Sequence, residues 1–210
     1  MILIGQYDSP FVRRVAIALR LYDLPFEHRP WSIFGDADRI AALNPLTRVP
    51  SMVLDDGEVL VNSPSMIDFI DSLVPPERAL FPREEPARRR AIRIAALATG
   101  VSDKVASLFY ELRLREPAHV SQFWAGRCRA QIAAGLDELE AARAARGDAD
   151  WFGDRIGHAD IAVACMLRHL AEAHPDLGAG QGRPALAAHC ARLEALPVFR
   201  EISQPFIPPA

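Results

Sequence analysis

Apolar residues fall along this chain in two rhythms. Before residue 78, short apolar runs are interleaved with helical stripes; beyond residue 86 every pattern is helical. Ile2-Leu3-Ile4, within Met1–Gly5, is a compact apolar run suited to a buried strand. Val12, Val15, Ala16, Leu19 and Tyr22 then recur at helical spacing, which predicts a helix over Val12–Tyr22. Asp23-Leu24-Pro25 breaks it, and Phe26–Arg29 has the makings of a second strand. Strand, helix and strand at this spacing predict a right-handed βαβ unit. Ser51–Leu54 and Glu58–Val61 are apolar runs joined through Asp55-Asp56-Gly57, a hairpin signal. Ser65–Leu73 closes the unit as a helix.

Pro75-Pro76 and Phe81-Pro82 bracket a connector. After it come four helix candidates: Ala87–Leu114, His119–Ala145, Ala159–Ala173 and Pro184–Leu196. Gly147 and Gly153 punctuate the break before the third. Ile161 to Leu167 is apolar on all sides, so this helix is expected at the buried centre of the second half. The division follows: a small α/β unit over 1–78, a linker over 79–85, and a helical unit over 86–210.

Half of the 210 residues are apolar and 24% are charged, an ordinary globular balance. A net charge of −3 argues against nucleic acid as a partner. Arg88-Arg89-Arg90 with Arg93 is the one basic cluster, and it reads as a solvated helix face. Cys128, Cys165 and Cys190 form an odd set without a Cys-x-x-Cys pair, which favours reduced thiols. No leader and no membrane-length apolar run is visible, so a cytoplasmic protein is expected. Cys165 and His169 share a helix face but are too few ligands for zinc, so no metal is expected.

The chemistry gathers at three points. Ser9-Pro10-Phe11-Val12 stands where the first strand gives way to the first helix. Ser9 followed by proline suits a plain N-cap. The same hydroxyl, at the positive end of a helix, can also donate to a bound thiolate and favour its ionised form. Redox enzymes place Cys-Pro-aromatic-Cys in these slots; serine and valine here remove disulfide exchange and leave the geometry. Arg48-Val49-Pro50 precedes a strand, and Asn62-Ser63-Pro64 precedes a helix. Each alone has an ordinary structural explanation. For the latter, Ser63 is the expected N-cap and Pro64 the first helical residue.

Together the three elements resemble the glutathione S-transferases, and Ser-Pro-Phe-Val-Arg resembles a bacterial serine-type subgroup. The resemblance spans nearly the whole chain. It implies a thioredoxin-like α/β N-terminal domain and an all-α C-terminal domain, with glutathione as cosubstrate. It implies that Ser9 activates the glutathione thiol for attack on a small hydrophobic electrophile. Tyr7, two residues earlier, ranks second for that role. Asn44 to Pro50 resembles the family's Asn-Pro-x-Gly-Lys-Val-Pro, with Thr47 for glycine and Arg48 for lysine. Pro50 is then cis, Val49 pairs with the cysteinyl backbone, and Arg48 holds the glycine carboxylate. Asn62 and Ser63 receive the γ-glutamyl end, and Phe11 completes the glutathione set. Phe34, Phe109, Tyr110 and Arg113 are the expected walls of an electrophile pocket. Gly157-His158-Ala159-Asp160 resembles the family's capping box on the core helix. A homodimer and a role in detoxification are implied as well. Two alternatives stay open: a non-catalytic binding or regulatory relative, of which the stringent starvation proteins are an example, and a glutathione-dependent dehalogenase or isomerase.

Overall fold

The computed structural model describes residues 1–147 and 150–208. Four three-residue strands form one sheet: β1 (Ile2–Ile4), β2 (Glu27–Arg29), β3 (Ser51–Val53) and β4 (Val59–Val61). Their order is β2-β1-β3-β4. β1 runs parallel to β2 and antiparallel to β3, and β3–β4 is the expected hairpin. Leu3 pairs with Met52 in register, and both side chains are fully buried. Helices α1 (Pro10–Leu21), α2 (Ala37–Ala41) and α3 (Ser63–Ser72) accompany this sheet. Then follow α4 (Ala87–Arg113), α5 (Gln122–Ala144), α6 (His158–Ala173), α7 (Pro184–Glu194) and α8 (Pro197–Glu201). The result is a thioredoxin-like unit followed by an all-helical one.

Helix starts depart from the periodicity in instructive ways. α1 begins at Pro10 rather than Val12 because Ser9 caps it: the backbone of Ser9 is extended, and its Oγ accepts from the Val12 N–H at 3.4 Å. α3 corrects the expected cap. Asn62 occupies the N-cap position with φ 72°, Ser63 is the first helical residue, and Pro64 follows inside the first turn. α6 starts with Asp160 Oδ2 accepting from the Gly157 N–H at 3.0 Å, the half of a capping box that needs no hydroxyl at Gly157. The other oxygen of Asp160 accepts from the Trp151 N–H at 3.1 Å.

α6 belongs to two cores. Ala162, Val163, Met166, Leu167 and Leu170 pack chiefly on α4, in a cluster that α5 and α7 complete. Ile161, Ala164 and Cys165 pack on α1, in a cluster shared with α3 and the sheet. A polar joint lies beside this seam. Asp71 of α3 accepts from Tyr22 Oη and stands 2.7 Å from His158 Nε2, while Tyr22 Oη accepts from the Leu80 N–H at 2.6 Å. Burial pushes the Asp71 carboxyl up, but hydrogen bonds from His158 and Tyr22 outweigh that and hold it below the usual carboxylate range.

Candidate functional site

Two adjoining cavities open where the β1–α1 turn faces α4. The larger, about 400 Å³, is walled by Ser9, Phe11, Phe34, Val49, Phe109 and Tyr110, among others. The smaller, about 190 Å³, is bounded by Pro50, Asn62, Ser63 and Pro64. Phe11, Arg48, Val49 and Asp103 line both, so the two form one continuous site.

Ser9 is half-buried on the wall of the larger cavity. Accepting from Val12 leaves its own proton free to point outward, so capping and donation are compatible. Tyr7 lies elsewhere. Its ring stacks on His28 at 3.9 Å and it lines neither cavity, while burial keeps its phenol protonated. The second-ranked residue is thus a packing element.

The loop before β3 is held from within. Asn44, fully buried, donates to the Arg48 carbonyl at 3.0 Å and to Ser51 Oγ at 3.1 Å, and its Oδ1 accepts from the Leu46 N–H at 3.0 Å. Thr47 adopts φ 49°, the left-handed geometry for which glycine is suited, so the backbone shape survives the substitution. The Val49–Pro50 bond is cis, as the resemblance implies. Arg48 Nη2 approaches Asp103 of α4 at 3.5 Å.

Ser63 is fully buried at the wall of the smaller cavity, and Arg14 Nη1 lies 3.5 Å behind its Oγ. Asn62 lines the same cavity, and its side chain makes no cap bond to α3. In the larger cavity Phe34 meets Tyr110 edge-on at 6.1 Å, and Phe109 meets Phe206 edge-on at 5.1 Å. Arg113 does not join them. It sits at the exposed last residue of α4, on the same helix face as Phe109 but one turn further along, and lines neither cavity.

Several lining residues were not expected from the sequence. Asp8, His169, Phe206 and Ile207 all border the larger cavity. Asp8 Oδ2 accepts from the Ile207 N–H at 3.1 Å, and burial raises its carboxyl above the usual range. This bond ties the C-terminal segment to the β1–α1 turn. His169 is 9% exposed, and burial lowers its imidazole to about 4, so it is neutral at physiological pH. Its Nδ1 is buried without a partner. His169 adds a polar point to a largely aromatic wall. Sequence offered one signal for it, a histidine just beyond the apolar run Ile161 to Leu167 and on the same helix face as Cys165. Cys165, one turn earlier, is fully buried, and desolvation pushes its thiol up to about 11, so it stays protonated.

A small four-stranded sheet with helices, a cis-proline before β3 and a hydroxyl at the α1 start together define a thioredoxin-like domain coupled to a helical one. Residues 3–78 match the glutathione S-transferase N-terminal domain and residues 122–192 its C-terminal domain. The chain is 32% identical to an uncharacterized GST-like protein, YibF, of Escherichia coli, covering 81% of this chain and 82% of that protein. It is 31% identical to a maleylacetoacetate isomerase of Pseudomonas aeruginosa, covering 80% of each. Its fold superposes on a glutathione S-transferase from Methylobacterium radiotolerans, solved in complex with glutathione sulfonate, with TM-score 0.89 and 30% identity, covering 100% of this chain and 98% of that one. The chain belongs to the glutathione S-transferase family.

Proposed function

We propose that this transferase binds glutathione across the two cavities and uses Ser9 to hold its sulfur as a thiolate. The carrying observation is continuity: Ser9 lines the larger cavity, which passes through Arg48 and Val49 into the one bounded by Asn62 and Ser63. A tripeptide with its γ-glutamyl end at Ser63 and its backbone against Val49 directs its sulfur toward Ser9. The glutathione-sulfonate complex of the Methylobacterium relative supports that ligand class.

A free thiol titrates near ~8.5, so only a few per cent is ionised at neutral pH. The Ser9 proton and the start of α1 both favour the anion. The thiolate then attacks an electrophilic carbon lodged among Phe34, Phe109 and Tyr110; the C–S bond forms as the leaving group departs with its electron pair. Holding sulfur beside carbon supplies much of the rate. Arg48 holds the glycine carboxylate. We take the working unit to be a cytoplasmic homodimer that detoxifies such electrophiles; a monomer by light scattering contradicts the dimer. The test of the central role is Ser9→Ala. Full conjugation activity at pH 7 in that variant removes Ser9 from the mechanism.

A second reading is glutathione-dependent isomerisation, favoured by the likeness to the Pseudomonas isomerase. There the thiolate adds to a conjugated double bond, the bond rotates, and the thiolate leaves unchanged. Turnover of a cis-enone diacid without net loss of glutathione separates the two.

A further inference from the structure

Arg13 and Arg14 are neighbours on α1, both buried, yet only one is paired. Arg13 makes a bidentate contact to Glu194 at 2.5 and 2.8 Å and also donates to the Ile202 and Phe199 carbonyls at 2.7 and 2.8 Å. Arg14 is 3% exposed, and its Nε has no partner. Its one hydrogen-bond partner among the described residues is Ser63 Oγ, and it joins no ion pair with a described carboxylate. Asp71, the buried carboxylate of α3, is taken by Tyr22 and His158. Burial lowers Arg14 to about 10, which leaves it charged at neutral pH.

A buried guanidinium without a counter-charge is a costly arrangement. It stands directly behind the one serine that begins a ten-residue helix and faces the smaller cavity. Among the described residues, the one acidic side chain lining that cavity, Asp103, is engaged with Arg48. The first-turn N–H groups of α3 add further positive potential there. The site is therefore one anion short.

We infer that Arg14 is a positioning residue for a carboxylate bound at Ser63; resting on the function proposed above, that group is the α-carboxylate of the γ-glutamyl residue. Arg14 Nη1 donates to Ser63 Oγ from the α1 side. The serine's own proton is thereby directed away from α1 and into the cavity, where it meets the carboxylate. Arg14 does not touch the ligand. It fixes the donor that does, and supplies the charge the carboxylate balances. The empty protein holds an incomplete pair, and binding completes it.

The test compares two ligands by calorimetry: glutathione, and the analogue with 4-aminobutyryl in place of γ-glutamyl, which lacks only that carboxylate. The wild type is expected to bind the analogue about 10- to 100-fold more weakly, the range of a charge-assisted hydrogen bond. In Arg14→Met, glutathione binding weakens by a similar factor while analogue binding changes less than about threefold, so discrimination vanishes; Arg14→Lys recovers part of it. Without ligand, Arg14→Met melts no lower than the wild type, since it removes a buried unpaired charge. Ser63→Ala, which keeps Arg14, also loses discrimination and serves if the methionine variant does not fold. Discrimination of about tenfold or more surviving in either variant overturns the inference alone. A wild type that binds neither ligand overturns the proposed function with it.

Discussion

Arg48 Nη2 stands 3.5 Å from Asp103 Oδ1, and this pair joins the loop before β3 to α4 at the junction of both cavities. The side chains are 67% and 53% exposed, so the contact contributes no more than about 1 kcal/mol. Arg48 can therefore change partners at little cost. Arg48→Ala is expected to leave stability within about 0.5 kcal/mol. It should raise the KM for glutathione about tenfold while kcat stays within about threefold, the pattern of lost ground-state binding. Urea denaturation and steady-state kinetics check both halves; an unaltered KM removes Arg48 from ligand binding.

Capping and thiol activation by Ser9 can be separated. Aspartate caps a helix about as well as serine, but when ionised it has no proton to donate and repels a thiolate. Ser9→Asp should hold the melting temperature within about 3 °C, which is about 1 kcal/mol for a chain of this size. It should lower kcat/KM at least about 100-fold, the scale of losing one donor to a reacting anion. A stable and active aspartate variant would move the thiol's donor to another residue.

His169 predicts a pH dependence of stability. Its folded value of about 4 lies below the ~6.5 of an unfolded histidine. The unfolded chain therefore takes up the proton first. The contribution to stability is complete above about pH 6.5 and is lost as pH falls toward 4, by at most about 1.4 kcal/mol per pH unit. His169→Phe lacks this loss. Its stability relative to the wild type should be constant above pH 7 and improve steadily between pH 6.5 and 4. Denaturant midpoints across that range decide it, and parallel curves would contradict the assignment.

Asp71 is 3% exposed and serves Tyr22, His158 and the Phe81 N–H together. Asp71→Ala strands three buried polar groups and should cost about 3 kcal/mol. Equilibrium unfolding measures this directly; a loss under about 1 kcal/mol would mean that water takes over the joint.

Local signals carried much of the fold. Strand runs, the Asp55-Asp56-Gly57 hairpin and the all-apolar stretch of α6 were legible because each is a short-range pattern. α8 was not legible, since five residues are too few to show a period and Leu196-Pro197 looks like a stop. At the site, Ser9, Phe11, Val49 and Ser63 were readable from contiguous motifs and do line the cavities. The Ser63 cap was misplaced by one residue because Asn62 can adopt a left-handed backbone, which a hydroxyl-plus-proline pattern does not reveal. Arg113 shares a helix face with Phe109, but how far along that face the cavity reaches is a tertiary property. Phe206, His169 and the ion-pairing difference between Arg13 and Arg14 depend on chain segments far apart in sequence, where no spacing rule reaches.

Because Ile161, Ala164 and Cys165 of α6 fill the core beneath α1 and the sheet, that core draws side chains from both ends of the chain. A ribosome must therefore release most of the polypeptide before the sheet half can bury its apolar face. An isolated piece ending near residue 78 would expose that face and bind a chaperone or a second copy rather than settle as a free-standing unit. Conversely, a backbone nick in the connector between α3 and α4 need not separate the halves, since α6 remains wedged between them and the two pieces should copurify until denaturant is added.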